Sequence, residues 1–138
     1  MADYTITAAN VGIAEATARP TVVQAGEALT EGQAVYLDTS DSKYYKADAT
    51  SSASAAVAGI VVSPASADGY ALIQSTKKII IGATVVAGDP IYLSATASGG
   101  NLCPHGDLVS TNYVTKVGHA VSTTEVLINI EALDIQVA

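Results

Sequence analysis

The chain has 138 residues, six basic against thirteen acidic, for a formal net charge of −7 at pH 7. That balance excludes a protein that neutralises nucleic-acid phosphates, which needs clustered Lys and Arg. No apolar stretch reaches the roughly 20 residues that cross a bilayer as a helix. Hydrophobic residues make up 49% of the chain, yet Phe and Trp are absent and seven Tyr are the only aromatics. The core must therefore be Val, Ile, Leu and Ala, and the β-branched types among them favour pleated surfaces over helices. The opening Met1-Ala2-Asp3-Tyr4 has neither a basic n-region nor an apolar h-region, which reads as cytoplasmic synthesis. A single cysteine, Cys103, cannot form an internal disulfide.

In chain order, residues 1–20 show no clear period and end at Arg19-Pro20, where the residue before proline is pushed out of the helical region. They read as an extended N-terminal arm. Its apolar residues, Tyr4, Ile6, Val11 and Ile13, are the candidate contacts with a partner or a neighbouring subunit, as a strand added to a sheet edge. From residue 21 short apolar runs alternate with turn residues. Strands are predicted at 35–37, 44–47, 57–62, 70–74, 78–81, 91–94, 112–118 and 126–130. Turn clusters such as Asp38-Thr39-Ser40-Asp41, Ala67-Asp68-Gly69 and Ser98-Gly99-Gly100-Asn101 separate them. Residues 49–56, rich in Ala and Ser, could carry one helical turn, but Ser and Thr compete locally for backbone groups. The spacing indicates an all-β fold, a compact barrel or sandwich of short antiparallel strands in a single domain over 21–138.

A repeat divides that domain. Gly26-Glu27-Ala28-Leu29-Thr30-Glu31-Gly32-Gln33-Ala34-Val35-Tyr36-Leu37 aligns with Gly82-Ala83-Thr84-Val85-Val86-Ala87-Gly88-Asp89-Pro90-Ile91-Tyr92-Leu93, with both Gly, the Tyr and the final Leu identical. Further on, Ala58-Gly59-Ile60-Val61-Val62 aligns with Val117-Gly118-His119-Ala120-Val121, and Leu72-Ile73-Gln74 with Leu127-Ile128-Asn129. Three matches in one order point to an internal duplication of about 21–76 and 77–138, with 35–37 and 91–93 as equivalent strands.

Catalytic chemistry finds little to work with. Cys103-Pro104-His105 brings a thiol and an imidazole together with Asp107 nearby, but nothing in the sequence assures an orienting carboxylate or a lowered thiol pKa; a surface loop is the simpler reading. His119 falls in a predicted strand as the counterpart of Ile60 and reads as a partly buried, satisfied histidine. No CxxC or HxxxH suggests zinc. The acidic residues Asp38, Asp41 and Asp48 lack the spacing of a calcium loop and read as turn formers. Gly26-x5-Gly32 is followed by Gln33 rather than Lys-Ser/Thr, so it is not a phosphate loop. Tyr44 and Tyr45, between Lys43 and Lys46, point to opposite faces of a strand and serve packing rather than a binding platform. No cofactor and no metal are expected, and the chain reads as non-enzymatic.

Several stretches resemble the head decoration (cement) proteins of tailed bacteriophages. They are the opening residues 1–11, then 25–37, 80–96 and Tyr113-Val114-Thr115-Lys116-Val117-Gly118-His119-Ala120, which together cover most of the chain in the family's order. The resemblance implies a virion structural protein that binds the major capsid protein on the outer capsid surface and stabilises the shell. It also implies self-association, typically as homotrimers. An alternative function is a carbohydrate- or receptor-binding β module of a head fibre or tail, which would call for exposed aromatic platforms. A small β-barrel enzyme or a hydrolase inhibitor is a further rival.

Overall fold

The computed structural model describes residues 3–96, 99–104 and 108–137. A one-turn 3-10 helix, Ala8–Asn10, precedes eleven strands: β1 (Val11–Ile13), β2 (Thr21–Gln24), β3 (Ala34–Asp38), β4 (Lys43–Lys46), β5 (Val57–Ser63), β6 (Tyr70–Gln74), β7 (Thr76–Ile81), β8 (Pro90–Leu93), β9 (Leu102–Pro104), β10 (Tyr113–Ala120) and β11 (Glu125–Gln136). Among the described residues there is no α-helix. In the Ala/Ser-rich stretch the Ala55 N–H donates to the Ser51 carbonyl at 3.0 Å, one helical turn that goes no further. Its start is tied down instead by the buried Asp48, whose carboxylate accepts from the Thr50 N–H and from the Thr50 and Ser54 hydroxyls.

All strands pair antiparallel in two sheets. One has five strands in the order β2-β6-β5-β3-β4, the other six in the order β1-β7-β11-β10-β8-β9. Apart from β1 the second order repeats the first strand for strand, with β7 in the place of β2 and β8 in the place of β3. The registers repeat as well. Val35 pairs with Gly59 and Ala34 with Ile60, while Ile91 pairs with Gly118 and Pro90 with His119. The turns entering β3 and β8 match atom for atom. Gly32 (φ 90°) donates to the Val61 carbonyl, and Gly88 (φ 92°) to the Ala120 carbonyl. The Gln33 carbonyl then accepts from Val61, as the Asp89 carbonyl accepts from Ala120. A left-handed φ at both turns is why glycine recurs there.

The halves differ at one edge. In the five-stranded sheet the chain beyond β2 reaches round to β4: Ala25 bridges Tyr44, and the Gly26 N–H donates to the Tyr44 carbonyl at 2.8 Å. This sheet curls shut around Val23, Leu29, Val35, Val61 and Ile73. In the six-stranded sheet the equivalent glycine, Gly82, instead offers its carbonyl to the Thr7 N–H, and β1 lies along β7 with Val11 opposite Ile81 and Ile13 opposite Ile79. A larger core of Ile60, Ile79, Ile81, Ile91, Leu93, Leu102, Val117, Val126 and their neighbours packs between the two sheets. Where β6 turns into β7 and the chain changes sheet, buried Gln74 donates through Nε2 to the Thr76 and Lys78 carbonyls.

The predicted strands all form, with ends moved by a few residues. Three others escape the sequence reading: β1, β2 and β9 are three or four residues long, too short for a period to show. The last strand runs six residues past its predicted end, to Gln136. The largest correction concerns the N-terminus. Residues 3–13 are extended apart from the 3-10 turn at Ala8–Asn10, but they are not an arm apart from the core. They lie on their own domain, because an isoleucine-rich strand (β7) would otherwise carry an unpaired edge.

Candidate interaction surface

The candidate contacts at the N-terminus separate into two kinds. Tyr4, Ile6 and Val11 are half-buried against the large core, while Ile13 is 45% exposed. Burial alternates along residues 4–7, with Tyr4 and Ile6 turned in and Thr5 and Thr7 out, as expected of an extended segment with one face on a core. The segment is fastened at several points. The Tyr4 N–H donates to the Leu102 carbonyl at 2.8 Å. The Asp3 carboxylate accepts from the Ser94 hydroxyl at 2.6 Å, the Thr96 hydroxyl at 2.7 Å and the Asn101 amide at 2.9 Å. Burial pushes the Tyr4 phenol above its ordinary pKa, helped by the nearby Asp89 carboxylate. Tyr4, Ile6 and Val11 therefore hold the domain together, and of the four only Ile13 offers a large exposed surface.

Other exposed apolar side chains lie elsewhere. Val22 and Tyr70 are on the five-stranded sheet, and Val109, Leu133 and Ile135 gather where β10 begins and β11 ends. Beyond Asn129 strand β11 has left β7 and pairs with β10 alone, with Glu131 opposite Lys116, Ala132 opposite Thr115 and Gln136 opposite Tyr113. Every residue from 131 to 136 is exposed. The backbone is irregular here: Asp134 (φ 52°) and Thr111 (φ 74°) are left-handed, and Thr111 donates to the Val137 carbonyl at 3.0 Å. A β-branched residue in that region is rare and strained. Sequence reasoning missed this ribbon by ending the strand at Ile130; Leu133 and Ile135 fall one residue out of phase with Val126, Ile128 and Ile130.

The residues considered for chemistry are dispersed. Cys103 is fully buried in β9, and His105 and Asp107 lie outside the described residues. His119 is half-buried in β10, between Pro90 and Leu127. Among the described residues no three His, Cys, Asp or Glu side chains group as metal ligands. The acidic turn residues hold their own loops: Asp38 accepts from the Ser40 N–H and Asp41 from the Lys43 N–H. Tyr44 packs towards the small core, whereas Tyr45 faces Tyr36 across the strand pair with ring centroids 6.3 Å apart. A groove of about 430 Å³ between the N-terminal segment and β7 is lined by the hydroxyls of Thr5, Thr7, Thr84 and Thr124, the Asn10 amide and the apolar Ile80 and Ala83, without a charged group.

One electrostatic contact predicts a pH response. The Tyr45 phenol donates to the Asp41 carboxylate at 2.6 Å, and that bond pushes the phenol up to about 12 while lowering the carboxyl. Between pH 10 and 12 the unfolded chain has lost this proton and the folded protein keeps it, so stability falls as pH rises through that window. Ultraviolet titration of the phenols should show one tyrosine ionising near pH 12. Tyr45→Phe should remove that step, flatten the alkaline loss of stability, and return the Asp41 pKa towards the ordinary carboxylate value.

No family model and no curated protein matches this chain.

Proposed function

We propose that this is a non-enzymatic virion structural protein that binds the outer surface of a tailed-phage capsid through the major capsid protein and stabilises the shell, with copies associating as trimers. The observation that carries the reading is where the resembling stretches fall. Residues 25–37 and 80–96 supply β3, β8 and the glycine turns that enter them, and 113–120 are β10. They make the repeated framework of the two sheets. The support is that of a fold whose repeated residues are spent on rigidity. A net charge of −7 also keeps many free copies apart and soluble before attachment.

The test is addition of the purified protein to undecorated heads of the phage that carries its gene. The expected results are co-sedimentation with the heads, added density on their outer surface, and slower DNA loss on heating. Protein that stays in the supernatant at saturating concentration argues against the reading. Sedimentation equilibrium tests association, with a trimer mass expected.

A further inference from the structure

We propose that the bare turn entering β8, with Val86, Ala87 and Gly88 beside Val121, seats an extended, uncharged segment of the shell protein rich in β-branched residues. This gives the capsid reading a place and a chemistry of contact, and rests on it only for the partner being the shell.

The duplication carries the argument, because the same turn occurs twice and only one copy is covered. Besides the bonds of the two glycines, the Leu29 N–H donates to the Ala65 carbonyl as Val85 does to Thr123, and Gln33 donates to Thr30 as Asp89 does to Val86. Thr30, Glu31 and Val62 therefore correspond to Val86, Ala87 and Val121. Over the first turn lies the chain's own N-terminal segment. A Cβ on Gly32 would come within 2.5 Å of Ile6 and 3.2 Å of Val11, and Val62 beside it is half-buried. Among the described residues nothing lies over the second turn. A Cβ on Gly88 would meet no atom within 4 Å, and residues 86–89 are all exposed. The side chains run against that exposure. The covered turn carries Thr30 and Glu31, whereas the bare one carries Val86, 64% exposed, and Ala87, with Val121 39% exposed beside them. Free surface turns favour polar residues. An apolar turn on the backbone of a covered one has the composition of a seat.

The surroundings select the occupant. The seat continues the interface between the N-terminal segment and its domain, since Asp89 lies close enough to Tyr4 for its carboxylate to raise the phenol pKa. Two residues before Val86, Thr84 lines the groove of about 430 Å³ whose other wall includes Thr5 and Thr7 of that segment. The groove gives room to an extended chain and hydroxyls to its backbone groups, and it holds no charge that would select a charged one. A second copy bringing its own seat against this one would set the exposed Asp89 against Asp89, in a molecule already at −7. Like charges juxtaposed at an interface are unfavourable. The N-terminal segment of a second copy is held on its own domain by Leu102 and Gly82. An uncharged segment of another protein, of the Tyr-Thr-Ile-Thr kind that covers the first turn, meets neither obstacle.

The experiment titrates the intact 15N-labelled protein with a blocked peptide of residues 4–13, and with the same peptide carrying Ile6→Asp and Val11→Asp. Shifts at residues 86–89 and 120–122, with the unaltered peptide only, are expected, while 31–33 stay unmoved because that turn is already covered. Unmoved amides at 86–89, equal shifts with both peptides, or shifts at 31–33 alone overturn the proposal. The V86K/V121K variant should keep its melting temperature and bind the peptide at least tenfold more weakly; unchanged binding overturns the seat. On undecorated heads the same variant should attach at least tenfold more weakly than the unaltered protein. Equal attachment overturns the turn as the shell contact and leaves decoration standing. Loss of attachment together with a fall in the mass of the free protein makes the seat a contact between copies and overturns the shell as its occupant. Failure of the unaltered protein to attach overturns decoration, and the peptide titration still decides the seat.

Discussion

Gly118→Ala should destabilise the protein by about 3 kcal/mol, the upper end of what forced overpacking costs, and lower its melting temperature by roughly 10 °C. A Cβ at this position would lie 2.1 Å from the Leu127 carbonyl oxygen and 3.0 Å from its carbon. That oxygen belongs to the middle of β11, held between β7 and β10, so neither strand can move aside without breaking its other ladder. A bulge between Lys116 and Gly118 brings the two backbones together at this point. The equivalent position in the other half behaves alike but less severely, since a Cβ at Gly59 would meet the Gln74 carbonyl oxygen at 2.9 Å. Gly59→Ala should therefore cost about 1–2 kcal/mol. Gly12→Ala is the control: nothing lies within 4 Å of its Cβ, and the change should stay within about 0.5 kcal/mol. Chemical denaturation of the three variants measures the order. A Gly118→Ala protein as stable as the Gly12→Ala protein would mean that β10 and β11 are not in this register.

Those glycines show how the sequence encoded the fold. Gly59 and Gly118 lie in matched segments, as do Gly32 and Gly88, and a residue retained at both positions for backbone reasons survives divergence that replaces its apolar neighbours freely. The all-β class and the framework strands were legible because β-branched runs bounded by turn residues have few other conformations open to them. Three short strands were not legible, since β1, β2 and β9 take their conformation from the edge they join rather than from any period of their own. Ile6 and Val11 illustrate the difficulty. In sequence they are two apolar residues in a Thr/Ala-rich stretch, and only the fold sets them against Gly32 and Gly82, where a Cβ would come within 2.9 Å of one of them at either glycine. The extension of β11 was missed for a different reason. All of its last residues are exposed, so hydrophobic alternation, the signal that marks a half-buried strand, carries no information there.

Removing residues 2–18 should lower the melting temperature by roughly 10 °C or more, not leave it unchanged as an independent arm would. The deletion takes away β1, and with it the three residue pairs that cover the Ile79–Ile81 edge of β7. It uncovers apolar surface where Tyr4, Ile6 and Val11 pack on the core, and side chains of this size each contribute about 1–2 kcal/mol when partly buried. It also strips the Ser94, Thr96 and Asn101 side chains of the Asp3 carboxylate that they share. A hydrogen bond to a charged group is worth about 1.5–3 kcal/mol, so Asp3→Ala alone should shift the transition by several degrees. The two variants separate fastening from burial. If Asp3→Ala destabilises and adding Tyr4→Ala and Ile6→Ala destabilises further, the N-terminal segment is a strap whose anchor and packing both count. The uncovered edge of β7 gives a second readout: a hydrophobic dye such as ANS should bind the truncated protein and ignore the intact one. A truncated protein that melts with the intact chain and binds no dye would show that residues 3–13 do not rest on their own domain.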